Sequence, residues 1–489
     1  MDEPHLKRDL GLVRTTMLGI GGTLSAANFV IIGEAAGMAG YAIVPIVVVC
    51  GLLSLLTMFS YAELGTAIPL AGGEYTFSKV AYGGFTSFLT GWFEWLSNMF
   101  YTALSAIGFA YVVSYLLPEI NIPLTAVVVV IVFALINLRG TKETATAETV
   151  ITIVVLAIIA IFLITTVAFA PETTPEPSPS PIGILGIFAA TAYLFELYLG
   201  AEAVAAAQAE VKNPGRNIPL AIILSAIVLI ALYTSVVIVA VGIVPPHILS
   251  EQASPIAFVA QQALGPAGAV FVTVGLAIAG LAATNEAILA QSHVLYAMSR
   301  DGYMPKGLGK IHKRFCTPYV AIIVCMIFTV IFAATGLVNF VVYAVNLGFI
   351  IGFSIVNLSL IKLRKTAPHL KRPFKVPLYP LTPLAGIAAS IFLALFIDPS
   401  VLILGFELIT VALLVYYIKM VGHHRIRIAF GGVSLGLGAF IAYIAYLVGT
   451  NALLQGVPQG TVTIVFGVLL FISIIEIIAG ILNLLASDR

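Results

Sequence analysis

Charge is what this sequence has least of. Only 9% of its 489 residues are Asp, Glu, Lys or Arg, against about 25% in an ordinary soluble domain. With 60% of the chain hydrophobic, a water-soluble fold would expose apolar surface it could not cover. The net charge of +1 offers no basic footprint, so no nucleic-acid partner is expected. Cysteine is nearly absent. Cys50, Cys316 and Cys325 are scattered, which excludes a disulfide framework and a thiolate metal cluster. There is no nucleotide-binding loop and no soluble segment large enough to be a catalytic domain, so neither an enzyme nor a cofactor is expected. A channel is disfavoured because no filter-forming motif occurs. The charged start enters an apolar run without a small-residue cleavage site, so no removable signal peptide is expected.

Long apolar runs, by contrast, are abundant. About 20 such residues cross the hydrocarbon core of a bilayer. Runs of this kind fall near 12–33, 41–68, 86–117, 124–138, 149–170, 183–206, 218–243, 267–297, 319–336, 338–363, 383–398, 401–421, 428–448 and 461–485. The expectation is an all-α polytopic membrane protein with about 14 transmembrane helices, surrounded by the lipid bilayer. With the N-terminus placed inside, all 23 Lys and Arg fall on cytoplasmic segments and none on outer loops. That asymmetry places both termini in the cytoplasm. The Pro-rich stretch 171–181 then forms an extended outer loop, and residues 256–263 an amphipathic outer helix.

Two spans are interrupted. The first reads Gly19-Ile20-Gly21-Gly22-Thr23-Leu24-Ser25-Ala26-Ala27-Asn28. Three glycines in four residues weaken a helix, and freed N–H groups there suit a carboxylate. Close helix packing is the alternative use of such small residues. The sixth span reads Tyr193-Leu194-Phe195-Glu196-Leu197-Tyr198-Leu199-Gly200-Ala201-Glu202. An ionised carboxylate at mid-bilayer costs at least about 2.5–3.5 kcal/mol, so Glu196 and Glu202 point to a cavity, unless each is buried neutral. The first and sixth spans are an odd number of crossings apart and run in opposite directions. An inverted repeat of two five-span halves would do this and would put a site between them at the midplane.

Several motifs recur in a familiar order. Pro69-Leu70-Ala71-Gly72-Gly73-Glu74-Tyr75 follows the second span, and Gly91-Trp92 lies in the third. Asn137-Leu138-Arg139-Gly140-Thr141-Lys142 ends the fourth, and Tyr198-Leu199-Gly200-Ala201-Glu202 lies in the sixth. Glu210-Val211-Lys212-Asn213-Pro214-Gly215-Arg216-Asn217-Ile218-Pro219 comes next. Asn285 leads into Tyr296-Ala297-Met298-Ser299-Arg300-Asp301-Gly302, and Arg372-Pro373-Phe374-Lys375-Val376-Pro377 precedes the eleventh span. From residue 10 to about 420 the chain resembles the amino acid–polyamine–organocation (APC) superfamily of permeases. The resemblance implies a LeuT-like five-plus-five inverted-repeat core, alternating access and amino acid substrates. It implies that the first break binds the substrate carboxylate, and that the sixth span binds the amino group through backbone carbonyls. The expected substrate-binding residues are Gly19, Gly21, Gly22, Thr23, Ser25, Ala26, Tyr193, Glu196, Tyr198 and Gly200. Glu202, Glu94, Asn285 and Glu286 are coupling or gating candidates. The expected organisation is a cytoplasmic N-terminus over 1–11, a transport core over 12–363, two further spans over 383–421 and two extra spans over 428–485. Fourteen spans resemble the cationic amino acid transporter branch.

Departures from the family pattern bear on mechanism. Some proton-coupled relatives carry a lysine in the fifth span after an Ala-Glu pair; here Ala147-Glu148 is followed by Val155. Ala282 and Ala283 stand where sodium-binding relatives place hydroxyls, so sodium is not the expected coupling ion. Glu196 replaces a frequent aromatic gate. His293 stands where the family often has Arg and is read as a structural hydrogen-bonding residue. Three functions stay open: a secondary amino acid transporter, a polyamine or organic cation transporter or exchanger, and a sensor that binds amino acids without moving them.

Overall fold

The computed structural model describes residues 8–68, 70, 72–139, 144–169, 183–420, 423–449 and 459–485. The Pro-rich stretch 171–181 and motif positions Pro69, Ala71 and 140–142 lie outside the described residues. Among the described residues every regular element is helical. The helices are α1 Leu12–Gly21, α2 Ala26–Ala39, α3 Ile43–Ala67, α4 Gly73–Ala81, α5 Gly84–Ser114, α6 Ile122–Arg139, α7 Thr144–Phe169, α8 Gly183–Leu194 and α9 Ala203–Ala206. After them come α10 Pro214–Ile243, α11 Pro246–Ser250, α12 Pro255–Arg300, α13 Tyr319–Ala333, α14 Val338–Thr366, α15 Leu381–Ala394, α16 Pro399–Met420, α17 His423–Gly449 and α18 Gln459–Leu485.

Among the described residues nine helical stretches are long and apolar enough to cross a membrane, and four shorter apolar helices accompany them. This is a polytopic membrane protein. Backbone polar groups in hydrocarbon must be satisfied within the segment, which leaves helices as the answer for such runs. Exposed side chains agree. Val128, Leu135, Ile164 and Val167 on α6 and α7 are exposed and apolar, as lipid-facing surface should be. α5 is the opposite case. It packs against α2, α4, α6, α12, α13 and α14, and its glycine and serine positions let neighbours approach closely. In α12 the first segment from Pro255 bends at Gly265, whose φ of 73° only glycine adopts without strain. Pro266 follows and supplies no N–H. A helix does cover 256–263, as this first segment of α12.

The chain divides into two compact units, residues 1–405 and 406–489. In the second, α17 packs against α18, with Ser473 Oγ donating to the Gly438 carbonyl at 2.8 Å. In the first, one carboxylate ties three segments together. Glu63, near the end of α3, is fully buried. It accepts Arg364 Nε at 2.8 Å and Nη2 at 2.5 Å, and the Val376 N–H at 2.7 Å. Arg372 Nε stands 3.3 Å from it. Arg372 also donates to the carbonyls of Leu363 and Ala367, satisfying the end of α14. A second staple joins α4 to the loop after α12: Lys79 Nζ and Tyr75 Oη donate to Asp301 Oδ2 at 2.6 and 2.7 Å.

These staples give two expectations. Glu63→Gln leaves two guanidinium groups facing a neutral amide, and breaking a buried pair costs about 3–5 kcal/mol. The detergent-solubilised variant should melt well below wild type; an unchanged melting curve would mean Glu63 carries no such role. Partial burial pushes the Asp301 carboxyl up, but the bonds from Lys79 and Tyr75 and the Lys79 charge pull it further, to a net position below its ordinary 3.8. A depressed carboxyl contributes stability above its unfolded value and loses it as pH falls through the native one. Stability should therefore fall in acid below about pH 4, and Asp301→Asn should flatten that decline. Identical acid limbs in the two proteins would remove Asp301 from the account.

Candidate functional site

The first interruption is present and its edges are sharp. α1 ends at Gly21 and α2 starts at Ala26. Thr23 Oγ1 donates to the Gly19 carbonyl at 2.9 Å, and Leu24 N–H to Ile20, which closes α1. Ser25 is the N-cap of α2; its Oγ accepts the Ala27 N–H and donates to Ser105 Oγ at 3.1 Å on α5. The N–H groups of Ser25, Ala26 and Asn28 have no acceptor among the described residues. The first N–H groups of any helix lack intrahelical partners, and here they are buried. Asn28 steadies the break from inside, its Nδ2 donating to the Thr23 carbonyl at 2.8 Å and to Tyr233 Oη at 2.7 Å.

The sixth span breaks as well. α8 stops at Leu194, a tight 3-10 turn covers Phe195–Tyr198, and α9 begins at Ala203. Gly200 adopts φ +113°, open to glycine alone. Both oxygens of Glu202 accept the Gly200 N–H at 2.9 Å. The two breaks touch. A Cβ on Gly200 would stand 2.1 Å from the Gly22 carbonyl oxygen, a distance no side chain could occupy.

Beside this contact lies Glu196, fully buried, with no hydrogen-bond partner for either carboxylate oxygen. Tyr101, Tyr193 and Tyr233 lie within its electrostatic reach. Two of these rings also touch the first break: Tyr101 Oη donates to the Gly22 carbonyl at 3.0 Å, and Tyr233 Oη to Thr23 at 3.3 Å. The structure thus brings buried donors from α2 and a buried acceptor from the sixth span around one pair of glycines. A polar solute with both an acid and a donor group could satisfy both ends.

Other expected residues have different surroundings. Gly19 and Gly21 are helical; Gly19 backs onto Ser225 and Val204, and Gly21 onto Thr152 and Glu148. Tyr193 Oη donates to Asn339 at 2.6 Å, and Tyr198 Oη to the Val47 carbonyl at 2.7 Å, so both hydroxyls are engaged by neighbouring helices. Glu94 accepts the Tyr75 N–H at 3.0 Å, and Asn285 Oδ1 accepts Asn137 Nδ2 at 2.8 Å. Glu286 Oε1 lies beside Gly22. His293 makes no hydrogen bond among the described residues and is exposed, so the structural bond expected of it is absent. Tyr101, Ser105 and Tyr233 were not legible from the sequence. A hydroxyl in an apolar span is common, and only the packing of α5 and α10 shows which ones meet the break.

The family model described as amino acid permease matches residues 10–418. The methylthioribose transporter of Bacillus subtilis is 33% identical, over 84% of this chain and 93% of its own length. The branched-chain amino acid permease BcaP of the same species is 28% identical, over 87% and 96%. The vacuolar cationic amino acid transporter 2 of Arabidopsis thaliana is 27% identical, over 74% of this chain and 61% of its own length.

The contact between the breaks is open to a direct test. Gly200→Ala forces a strained φ and a clash with Gly22, so it should destabilise the protein by more than about 1 kcal/mol. It should also remove any solute-induced rise in melting temperature. A variant that melts and responds to solute like wild type would show that the two breaks do not meet in this way.

Proposed function

This chain belongs to the amino acid permease family within the APC superfamily, and from that premise we propose that it is a secondary transporter carrying an amino acid by alternating access. It is a multi-pass integral protein of the cell membrane that handles a small-molecule substrate. The reading takes the chain as fourteen spans with both termini cytoplasmic and a LeuT-like five-plus-five repeat over 12–363. Its support is the opposed pair of broken spans and the confinement of all 23 Lys and Arg to one side. Spans over 383–421 and 428–485 complete the organisation.

One observation carries the reading: the start of α2 holds buried N–H donors without acceptors among the described residues, and Glu196, within reach of the Tyr101 and Tyr233 rings that bond to the first break, is an acceptor without a donor among them. Buried polar groups without partners are unfavourable by about 1–3 kcal/mol each, and a bound solute supplies what is missing. Its carboxylate takes the N–H groups of Ser25, Ala26 and Asn28, where the helix dipole favours an anion. Its ammonium group takes backbone carbonyls of the sixth span, as the family resemblance implies. Glu196 receives a further donor. A branched aliphatic side chain would leave Glu196 unpaired, so the favoured substrates carry a cationic or hydroxyl-bearing side chain. A second reading follows from the same carboxylate: an organic amine, or a sugar-like diol of the kind the methylthioribose relative's name suggests, could also satisfy it.

The test is counterflow in proteoliposomes with labelled basic, hydroxylated and branched-chain amino acids, a polyamine and methylthioribose. The expected order puts basic or hydroxylated amino acids first. Glu196→Gln should weaken cationic solutes by about 1–3 kcal/mol and spare neutral ones. Equal handling of every solute by both proteins would remove Glu196 from the site. Binding without flux would make the protein a sensor.

A further inference from the structure

The connection between α12 and α13 gathers charge of one sign. Residues 302–397 contain no Asp or Glu, and Lys306, Lys310, Lys313 and Arg314 crowd the first few of them. All four are exposed, and none forms an ion pair among the described residues. A run of like charges is ordinarily a solvated face. Here two large apolar residues stand among the cations, Ile311 at 50% and Phe315 at 37% exposed, so apolar and basic side chains leave the protein together.

The turn is held in one shape by His312. Its N–H donates to the Thr317 carbonyl at 2.8 Å, and its carbonyl accepts the Cys316 N–H at 2.9 Å. Its ring Nδ1 accepts the Arg314 and Phe315 N–H groups, each at 3.2 Å. The ring stacks on Phe315 with centroids 4.8 Å apart and meets Tyr319 edge-on at 5.8 Å. The Arg314 guanidinium lies 5.4 Å from the Phe315 centroid, within cation–π reach. Cys316 takes φ +55°, an unfavourable conformation for a residue with a side chain. Such strain persists where the surroundings over-determine it, and it gathers at binding sites. Thr317 Oγ1 donates to the Leu138 carbonyl at 2.9 Å, which moors the turn to the end of α6 beside exposed Arg139. Beneath it Ala134, Ile288 and Ile322 form a buried cluster that joins α6, α12 and α13.

Bilayer-facing surface adjoins this corner. Leu135 and Ile136 on α6 and Ile323 and Ile327 on α13 are exposed and apolar, one turn or two from the mooring. The turn therefore stands where that surface ends. Cations near an anionic leaflet are attracted to it, and apolar side chains beside them gain by entering the acyl boundary. A nucleic acid or an acidic peptide would answer the cations alone. The apolar pair and the adjoining bilayer surface favour lipid.

We propose that this turn is a docking site for anionic phospholipid of the surrounding leaflet. Lys310, Lys313, Arg314 and Arg139 take the headgroup phosphates, and Ile311 and Phe315 enter the acyl boundary below them. His312 is the positioning residue: it touches no lipid phosphate itself but fixes the backbone that presents Arg314 and Phe315. Docking here needs only that the chain lies in a bilayer, and it stands or falls apart from the transport reading.

Cys316 supplies a probe without substitution, because it is exposed while Cys50 and Cys325 are buried. Purified full-length protein labelled there with an environment-sensitive fluorophore is placed in phosphatidylcholine nanodiscs with and without phosphatidylglycerol. In the anionic discs the emission should shift to the blue, a headgroup-nitroxide lipid should quench it, and aqueous acrylamide should quench it less. Unlabelled protein in detergent is titrated with phosphatidylglycerol, phosphatidylcholine or inorganic phosphate. Phosphatidylglycerol should raise the melting temperature, less so at high salt, and the other two should not. Lys310→Gln, Lys313→Gln and Arg314→Gln combined should raise the half-saturating phosphatidylglycerol concentration by about tenfold or more. His312→Ala and Phe315→Ser should each remove the blue shift. Lys365→Gln, Lys371→Gln and Lys375→Gln combined, exposed cations of the α14–α15 segment, should leave both readings as in wild type. The proposal is overturned if acrylamide reaches the label equally in both discs, or if phosphatidylcholine or inorganic phosphate matches phosphatidylglycerol. It is also overturned if the α14–α15 combination weakens lipid binding as much as the combination in the turn. Should His312→Ala fail to fold, the glutamine combination and Phe315→Ser, which change exposed side chains, decide the matter.

Discussion

Everything at the centre of this protein depends on how closely two backbones approach. The Gly22 carbonyl and Gly200 lie so near that a single Cβ on Gly200 would reach within 2.1 Å of the oxygen. Neither helix can continue through that point. α1 stops with the Gly19 carbonyl taken by the Thr23 hydroxyl and the Thr23 carbonyl by Asn28 Nδ2, and the sixth span turns through a 3-10 segment followed by Gly200, whose N–H Glu202 accepts. Ending two helices inside a membrane releases backbone polar groups that lipid cannot satisfy. The surrounding tyrosines and serines satisfy some of them. Those that remain free are the ones a polar solute can use.

The acids of this chain separate by what surrounds them. Glu63 is buried and doubly paired with Arg364 and Arg372, so its charge is spent on joining α3, α14 and the loop beyond. Glu196 is equally buried and has no donor among the described residues. Burial alone therefore does not separate a staple from a site; the partner inventory does. Glu202 and Glu94 hold intermediate positions, each accepting one backbone N–H, Glu202 from Gly200 in the sixth-span break and Glu94 from Tyr75 in the first turn of α4. Asn285, also polar in an apolar span, turns out to brace α12 against α6 through Asn137.

Rigidity and freedom are distributed accordingly. α5 packs on six other helices of the first unit and offers Tyr101 and Ser105 to the break from a fixed position. α1 and α2 are short, joined by four residues, and bonded to α5 and α10 by a few hydroxyls.

Much of this was written in the order of residues. The shortage of charge and the long apolar runs determine a polytopic helical protein, because chain segments of that composition have no other low-energy state in lipid. The glycine cluster of the first span and Gly200 with its acidic neighbours in the sixth determine where these spans fail, since a missing Cβ and polar neighbours act locally. The pairing of acids lay beyond any local rule. Glu63, Glu196 and Glu148 are alike in that no neighbour in the sequence names the partner of any of them. Only the packing decided that one meets two arginines, that one meets no donor among the described residues, and that the third lies behind Gly21. Tertiary structure decides this because electrostatic and hydrogen-bond partners come from helices distant in the chain, and the register between those helices is set by whole faces rather than by the residue itself.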